Sequence, residues 1–317
     1  MIKTLSPKRS KVFNTKTLIL ISMALPGAVW LFLLRYLPLF GIVLSFKNYR
    51  IYSKDPSLIN NILHSKWVGL DNFKFLFTTT ESWVMIRNTI GYNALWIVLG
   101  LVIAVAIAII MNELTLKFAA KTYQTMMFFP YFLSWVIVSY FVFAFLSPEN
   151  GFITNLQKNM GLTATEWYSE AKLWPYILTL TNLWKNVGYS CVLYIAAISG
   201  IDSTQYEAAR IDGVSKWQEI RYVTLPHLRT IIIILFILNV GRIFNADFGL
   251  FYSVPMNSGP LFSTTQVIDT YVYRALINTG DIGMSSAAGL FQNVVGFICI
   301  MISNTIVRKI DPESSLF

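Results

Sequence analysis

The sequence predicts an all-α integral membrane protein with six transmembrane helices. Of its 317 residues, 55% are hydrophobic and only 13% are charged, whereas a soluble domain carries about 25% charged residues. The hydrophobic residues are concentrated in six runs, each long enough to cross ~30 Å of hydrocarbon as a helix. The net charge is +9, but the basic residues flank the apolar runs, so we expect a membrane surface and no nucleic acid as the partner.

The six runs are read in chain order from a basic tail, 1–16. The first run is much longer than the ~7–15 residues of a signal-peptide core, and no small-x-small cleavage pattern follows it, so we expect an uncleaved membrane helix. The segment 46–87 mixes aromatic and charged residues, which predicts an external cap or interfacial helix. A second external loop covers 249–284, and 308–317 forms the C-terminal tail. The predicted spans are 17–45, 88–112, 122–146, 173–199, 228–248 and 285–307.

The distribution of Lys and Arg predicts the orientation. Six crossings place both termini on one side, and thirteen Lys and Arg fall on that side against nine on the other, where the loops are much longer. Cytoplasmic loops carry the excess of basic residues. We therefore expect both termini, and the polar loop 202–226 between spans four and five, in the cytoplasm.

The loop 202–226 carries signals for two short helices. Thr204 followed by Glu207 three residues later fits a capping box that starts a helix. Asp212-Gly213 predicts a turn, because Gly tolerates the positive φ needed there. Ser215 then fits as the cap of a second short helix carrying Trp217 and Ile220.

The same loop resembles a known family signature. Glu207-Ala208-Ala209, then Asp212-Gly213 and Leu225-Pro226, is similar to the EAA loop of binding-protein-dependent ABC importer permeases. Further segments resemble the maltose-permease-like, carbohydrate-uptake branch for complex oligosaccharides and polysaccharide fragments. Val214 departs from the pattern, since many relatives carry Ala there, and this methyl-scale change is not expected to abolish docking. The further segments are 35–41, 45–49, 67–73, 87–89, 132–136, 151–155 and 289–293.

The resemblance implies a type I ABC importer permease fold, with 88–307 as the permease core and 202–226 as a cytoplasmic coupling loop that docks onto an ATPase. It also implies a prokaryotic cytoplasmic membrane and, as partners, a second permease subunit, an ABC ATPase dimer, an extracytoplasmic solute-binding protein, membrane lipid and a saccharide substrate. ATP and Mg would belong to the ATPase. The residues implied in ATPase coupling are Tyr206, Glu207, Ala208, Ala209, Arg210, Asp212, Gly213, Trp217, Leu225 and Pro226.

Polar residues within the spans are candidates for the substrate pathway, because such groups are costly in hydrocarbon and usually face a cavity or a partner. Lys185 and Arg242 could favour a uronate or another acidic saccharide. Structural roles remain open: Arg242 could pair with Asp247, and Lys185 could satisfy helix carbonyls or snorkel. The candidates are Asn182, Trp184, Lys185, Tyr189, Asn239, Arg242, Asn245, Gln292 and Asn293.

The sequence offers no sign of an enzyme. It contains no Gly-x-x-x-x-Gly-Lys-Ser/Thr phosphate loop, and its two cysteines, Cys191 and Cys299, lie in apolar runs without metal-ligand neighbours. We expect no metal and no cofactor in this chain. The alternatives are an ABC permease for a non-sugar solute, a stand-alone secondary transporter, and a membrane scaffold or sensor. A secondary transporter would have an internal inverted repeat, which is not visible, and neither of the last two classes would explain the EAA-like loop.

Overall fold

The computed structural model describes residues 15–49, 57–114 and 116–316. Over these residues the chain is mostly helical, with one small antiparallel ribbon of strands β1 (Lys47–Asn48) and β2 (Lys66–Trp67). The α-helices are α1 Thr15–Leu31, α2 Leu58–His64, α3 Phe75–Thr78, α4 Thr80–Asn112, α5 Lys117–Phe128, α6 Trp135–Leu146, α7 Phe152–Asn159, α8 Trp174–Ser199, α9 Ser203–Ile211, α10 Lys216–Glu219, α11 Leu225–Val240, α12 Phe248–Ser253, α13 Phe262–Thr265, α14 Ile268–Thr279 and α15 Ile282–Ile310.

The predicted fold class, a helical membrane protein with up to six spans, is confirmed. Four continuous helical segments are long and apolar enough to cross a membrane, and two bent helix pairs raise the number to six if each pair counts as one span. The continuous segments are Lys16–Phe46, Thr80–Asn112, Lys216–Val240 and Ile282–Ile310, and the bent pairs are Phe118–Phe132 with Trp135–Leu146 and Ala171–Ser199 with Ser203–Ile211.

The second span begins eight residues earlier than the sequence predicts. Helix α4 starts at Thr80, after Thr79, whose hydroxyl accepts a hydrogen bond from the Ser82 backbone N–H at 3.2 Å. The first turns of α4 are polar, which is why hydropathy missed them. They are helical because Ser82 and Met85 are fully buried against the rest of the chain.

The third span is broken, and the prediction of one helix over 122–146 was wrong. Helices α5 and α6 meet at an angle of 100°. A short 3-10 turn, Phe129–Phe132, follows α5, and the backbone is extended at Leu133 and Ser134. Pro130 cannot donate a backbone hydrogen bond, and Ser134 starts a new helix by accepting from the Ile137 N–H at 3.3 Å.

The fifth span ends earlier than predicted. Helix α11 stops at Val240, and residues 241–247 form turns rather than the last two turns of a helix. At its other end, α11 is continuous with α10 through a π-helical turn, Ile220–Thr224. Such turns are rare and usually occur as single-turn bulges within helices; here Pro226, which cannot donate a backbone hydrogen bond, lies two residues beyond the turn.

The described parts of the two segments predicted to be external are structured. Phe46 stacks on Trp67 across the β1–β2 ribbon, with ring centroids 5.8 Å apart, and the Asn72 amide donates to the carbonyls of Ser45 and Lys47 at 3.0 Å each. The segment predicted as a loop over 249–284 contains α12, α13 and α14.

The centre of the protein is the pair of long helices α4 and α8. Ala104 and Ala108 of α4 are fully buried in a cluster with Cys191 and Tyr194 of α8 and Leu228 of α11. Small alanines let the helix backbones approach closely, as is usual between membrane helices. This packing holds α4, α8 and α11 around the cavity described below.

Candidate functional site

The polar loop folds as two short helices, and the first of them, α9, is bent by 71° from α8, the span before it. The prediction that Thr204 caps α9 was wrong. Asp202 is the cap, and its carboxylate accepts from the Thr204 backbone N–H at 3.0 Å. That hydrogen bond holds the pKa of Asp202 below its usual value.

Helix α9 ends in the Schellman arrangement of backbone hydrogen bonds. The N–H of Gly213 donates to the Arg210 carbonyl, and the N–H of Val214 donates to the Ala209 carbonyl, both at 3.1 Å. Gly213 has φ +74°, which confirms the predicted positive φ and is the usual geometry of this helix stop. The turn is therefore fixed by its own backbone.

Helix α10 begins after Ser215, as predicted. The Gln218 side chain accepts from the Ser215 backbone N–H at 2.9 Å and from its hydroxyl at 2.7 Å. Tyr206 reaches back from α9, and its hydroxyl lies 3.1 Å from that of Thr224. These contacts close the two helices into one compact unit, which we call the α9–α10 loop.

Ion pairs around a buried carboxylate join α9 to α10, and one further pair joins the α9–α10 loop to the end of α4. The Glu219 side chain is only 3% exposed, and it lies 3.4 Å from Arg210 and 3.1 Å from Lys216. Lys216 also pairs with Glu113, just beyond the end of α4, at 2.9 Å. None of these pairs was predicted, because their members are far apart in sequence or unremarkable in type.

The pKa values in this network follow from its geometry. Burial by itself raises the pKa of the Glu219 carboxyl, but the hydrogen bonds and charges of Arg210 and Lys216 outweigh burial and hold that pKa below its usual value. The hydrogen bond to Glu113 is the main cause that raises the pKa of Lys216. Both shifts favour the charged forms of Glu219 and Lys216.

The residues predicted to couple to an ATPase divide into two groups. Tyr206, Ala209 and Leu225 are half-buried and hold the loop together. The others form an exposed surface, which also includes Ile211, 86% exposed and not predicted. A side chain as apolar as Ile211 or Trp217, left exposed on a polar loop, is typical of a protein contact surface. The exposed predicted residues are Glu207, Ala208, Arg210, Asp212, Gly213, Trp217 and Pro226.

A cavity of about 330 Å³ lies between α4, α8, α11 and the turn 241–247. Five of the predicted pathway residues lie on it: Asn182, Tyr189, Asn239, Arg242 and Asn245. Its wall also holds polar and aromatic residues that were not predicted, because they resemble ordinary polar or core positions of a span: Asn93, Trp96, Asn186, Ser190, Tyr194 and Asp247.

A second cavity, of about 450 Å³, lies on the other side of the turn 241–247. It is lined by Asn293, Phe297 and Ile300 of α15, and it shares Arg242 and Asn245 with the first. The turn thus forms a partition between the two cavities.

Three predicted pathway residues lie away from both cavities. Trp184 lies in an outer apolar groove with Phe141. Lys185 is 6% exposed and bonds to carbonyls of the break between α5 and α6, which is the structural alternative left open by the sequence. Gln292, also 6% exposed, bonds to the Phe244 carbonyl at 2.7 Å. Lys185 is three positions from Asn182 and therefore about 60° from it around α8. Its side chain reaches the break between α5 and α6 instead of the cavity.

The charged groups at the first cavity are Arg242 and Asp247. The ion pair considered between them does not form: in the part of the chain that the structure describes, the ion pairs do not include either residue. Asp247 instead accepts from the Trp135 indole N–H at 2.8 Å and from the backbone N–H groups of Gly249 and Leu250. Its charge is therefore offset by the indole and the start of α12.

A helical membrane protein with polar cavities between its spans and an exposed two-helix loop has the architecture of a transport permease. The comparisons with known proteins agree. Residues 97–313 match the family described as binding-protein-dependent transport system inner membrane component. The chain belongs to this family, which confirms the resemblance found in the loop 202–226.

Relatives and a solved structure match over 73–94% of this chain. The chain is 33% identical to the polygalacturonan/rhamnogalacturonan transport system permease protein YteP of Bacillus subtilis, covering 92% of this chain and 88% of the relative. It is 28% identical to the arabinooligosaccharides transport system permease protein AraP of Halalkalibacterium halodurans, over 73% and 72%. The crystal structure of a bacterial ABC transporter that imports the acidic polysaccharide alginate contains a similar chain, with a TM-score of 0.82, 29% identity and coverage of 94% and 97%.

Proposed function

We propose that this chain is one of two permease subunits of an ATP-driven importer that moves acidic oligosaccharides into the cytoplasm. One observation carries the proposal: Arg242 faces the cavity, exposed and outside any ion pair of the described residues, among five side-chain amides and beside aromatic rings. The guanidinium group binds carboxylates in a planar, two-point geometry. The amides suit sugar hydroxyls, and Tyr189, which is 42% exposed, offers an aromatic ring to the apolar face of a sugar.

The names of the relatives support a uronate-containing substrate. One similar permease serves polygalacturonan or rhamnogalacturonan, and a similar solved chain belongs to an importer of an acidic polysaccharide. Lys185 points away from the cavity, toward the Tyr131 carbonyl, so Arg242 is the cation on the described wall of the cavity. The proposed contact is therefore with one carboxylate at a time.

The energy would come from a separate ATPase that holds ATP and Mg and docks on the exposed surface of the α9–α10 loop. The solute-binding protein would deliver substrate on the opposite side, and both termini would lie in the cytoplasm. A related second permease would close the open side of the cavities. A solved alginate transporter in complex with a periplasmic protein bound to alginate pentasaccharide, containing a chain 29% identical to this one at a TM-score of 0.81, supports the delivery step.

Transport would proceed by alternating access. Closure of the ATPase dimer on ATP would move the α9–α10 loops together, and the ion pair of Lys216 with Glu113 would pass this movement to α4, which lines the cavity. ATP and the loaded binding protein would both favour the outward-facing state, so their effects reinforce each other.

Two measurements test the proposal. Affinity purification of the tagged chain from its native membrane should recover an ATPase and a second permease, and their repeated absence would overturn the assignment. The complete transporter in proteoliposomes should then import trigalacturonate. Arg242→Met should raise the apparent KM for trigalacturonate by roughly tenfold, the effect of ~1.4 kcal/mol. It should change uptake of the fully methyl-esterified trisaccharide little.

The matched control is Arg308→Met, which removes an exposed arginine near the end of α15. It should leave both KM values unchanged. Equal loss of acid and ester uptake in Arg242→Met would show that Arg242 does not select the carboxylate.

A further inference from the structure

The chain abandons helical structure between α11 and α12, and this turn, residues 241–247, carries Arg242 and Asn245 into both cavities. We call it the partition turn. Irregular backbone inside a membrane protein needs hydrogen-bond partners other than those of a helix. The partners found here are unusual, since they are side chains from three different helices.

Four successive residues of the partition turn are bound in this way. The Asn93 amide of α4 donates to the carbonyls of Ile243 and Asn245 at 2.9 and 3.1 Å. The Gln292 amide of α15 donates to the Phe244 carbonyl at 2.7 Å. The Asp269 carboxylate of α14 accepts from the Ala246 N–H at 2.9 Å. These contacts fix the backbone on both sides of Asn245 and next to Arg242.

Gln292 and Asp269 also bind each other, with the amide nitrogen 3.1 Å from the carboxylate. Because both contacts of that nitrogen are acceptors, the orientation of the Gln292 amide is determined. A further constraint comes from Gly296 of α15: a Cβ atom there would lie 2.3 Å from the Gly241 carbonyl oxygen. The partition turn therefore starts in close backbone contact with α15 and is held along its length by side chains.

We infer that Gln292, Asp269 and Asn93 are positioning residues that set where the Arg242 guanidinium and the Asn245 amide meet the substrate. The inference rests on the proposed function and deepens it, because it assigns carboxylate specificity to residues that do not touch the sugar. Gln292 gives the sharpest case, since it is buried and lines neither cavity. Asn93 lies on the cavity wall and can act in both ways.

The physical reason is preorganisation. A flexible arginine on a free turn would lose conformational freedom each time it bound a carboxylate. Hydrogen bonds that fix the turn beforehand reduce that loss, so removing one should weaken binding of the acid while leaving the coupling loop and the ATPase contact surface intact.

The test is uptake by the complete transporter in proteoliposomes, with trigalacturonate and its fully methyl-esterified form as probes. Gln292→Met keeps the length of the side chain and removes the donor. We expect a rise of roughly tenfold in the apparent KM for trigalacturonate, with little change in the KM for the ester or in the maximal rates. Val294→Met places the same side chain on the exposed face of α15 and should behave as wild type.

A double-variant cycle separates positioning from a merely structural role. If Gln292 acts through Arg242, then Gln292→Met should add little to the KM of Arg242→Met. Additive losses, or equal losses for acid and ester, would overturn the inference. Asp269→Asn provides a second, milder variant, because its oxygen can still accept from Ala246; it should raise the KM for the acid alone, and equal changes for both probes would also overturn the inference.

Different results would contradict the Arg242–carboxylate contact and the positioning role of Gln292 and Asp269. If Arg242→Met leaves trigalacturonate uptake unchanged, the proposed Arg–carboxylate contact is wrong and the inference falls with it. If Arg242→Met selectively weakens uptake of the acid while Gln292→Met and Asp269→Asn do not, only the positioning role is wrong.

Discussion

The Lys185 ammonium of α8 lies 2.7 Å from the carbonyl oxygen of Leu133, at the break between α5 and α6. It donates to the Tyr131 carbonyl at 2.7 Å and to that of Pro130 at 3.3 Å as well. The Tyr131 and Trp135 rings lie 5.5 and 5.2 Å from it, within the range of cation–π attraction. The Pro130 carbonyl also accepts from the Leu133 N–H, so the buried cation mainly serves the Tyr131 and Leu133 carbonyls, whose backbone donors a continuous third span would have supplied.

Lys185→Met should therefore destabilise the protein. It would leave three carbonyls at the break without their charged donor, and we expect the free energy of unfolding to fall by about 2–4 kcal/mol. Unfolding of the purified permease by SDS would measure this, with Lys172→Met as the control, since Lys172 is exposed. Normal stability together with lost uptake would instead return Lys185 to the substrate pathway.

A glycine sets the distance between α5 and α8. A Cβ atom on Gly188 would lie 1.9 Å from the Met127 carbonyl oxygen, so Gly188→Ala must push the helices apart. We expect a loss of roughly 1–3 kcal/mol in stability. Gly289→Ala is the matched control, because a Cβ there meets no atom within 4 Å. Equal behaviour of the two variants in SDS unfolding would show that α5 and α8 do not pack this closely.

The exposed face of α9 should control coupling to the ATPase. Glu207 is exposed and outside any ion pair of the described residues, so Glu207→Lys reverses a surface charge without disturbing the loop. We expect uptake to fall at least tenfold per ATP hydrolysed, since a charge reversal at a contact removes about 1.4 kcal/mol or more. Gln205→Lys adds a positive charge to the same helix, two residues away, and should couple normally. Normal coupling in Glu207→Lys would refute the docking surface.

The Glu219 network should make the α9–α10 loop sensitive to acid. Because the folded-state pKa of Glu219 lies below its usual value, the stabilisation is complete above the usual glutamate pKa of about 4.3. It is lost as the pH falls through the lower folded-state pKa. Hydrogen-exchange protection of the loop amides should therefore fall on acidification in the wild type.

Glu219→Gln should reduce the hydrogen-exchange protection of the loop amides by roughly threefold to tenfold already at pH 7. On acidification, this variant should lose less protection than the wild type. Glu207→Gln is the control and should keep the wild-type profile. A wild-type profile in Glu219→Gln would exclude the carboxylate as the source of the acid sensitivity.

Much of the fold and half of the site could be read from local sequence. The apolar runs gave the spans to within a few residues where a helix is uniformly apolar, as at α15. The ends of α4 and α11 were misplaced because Thr80–Arg87 is helical although polar and 241–247 is not helical although it follows an apolar run. The helix stop at Gly213 was predicted correctly because it depends on the φ of one residue.

What the sequence determined by itself is the class of protein: a helical membrane permease with a polar two-helix loop. Hydropathy and helix stops depend on residues that are close together in the chain, so both can be read without the tertiary structure. Only the tertiary structure decided which polar groups face the cavities. Lys185, Gln292 and Arg242 look alike in sequence, as costly groups within apolar runs. Lys185 and Gln292 donate to carbonyls of broken backbone on neighbouring helices, which are distant along the chain, whereas Arg242 faces the cavities.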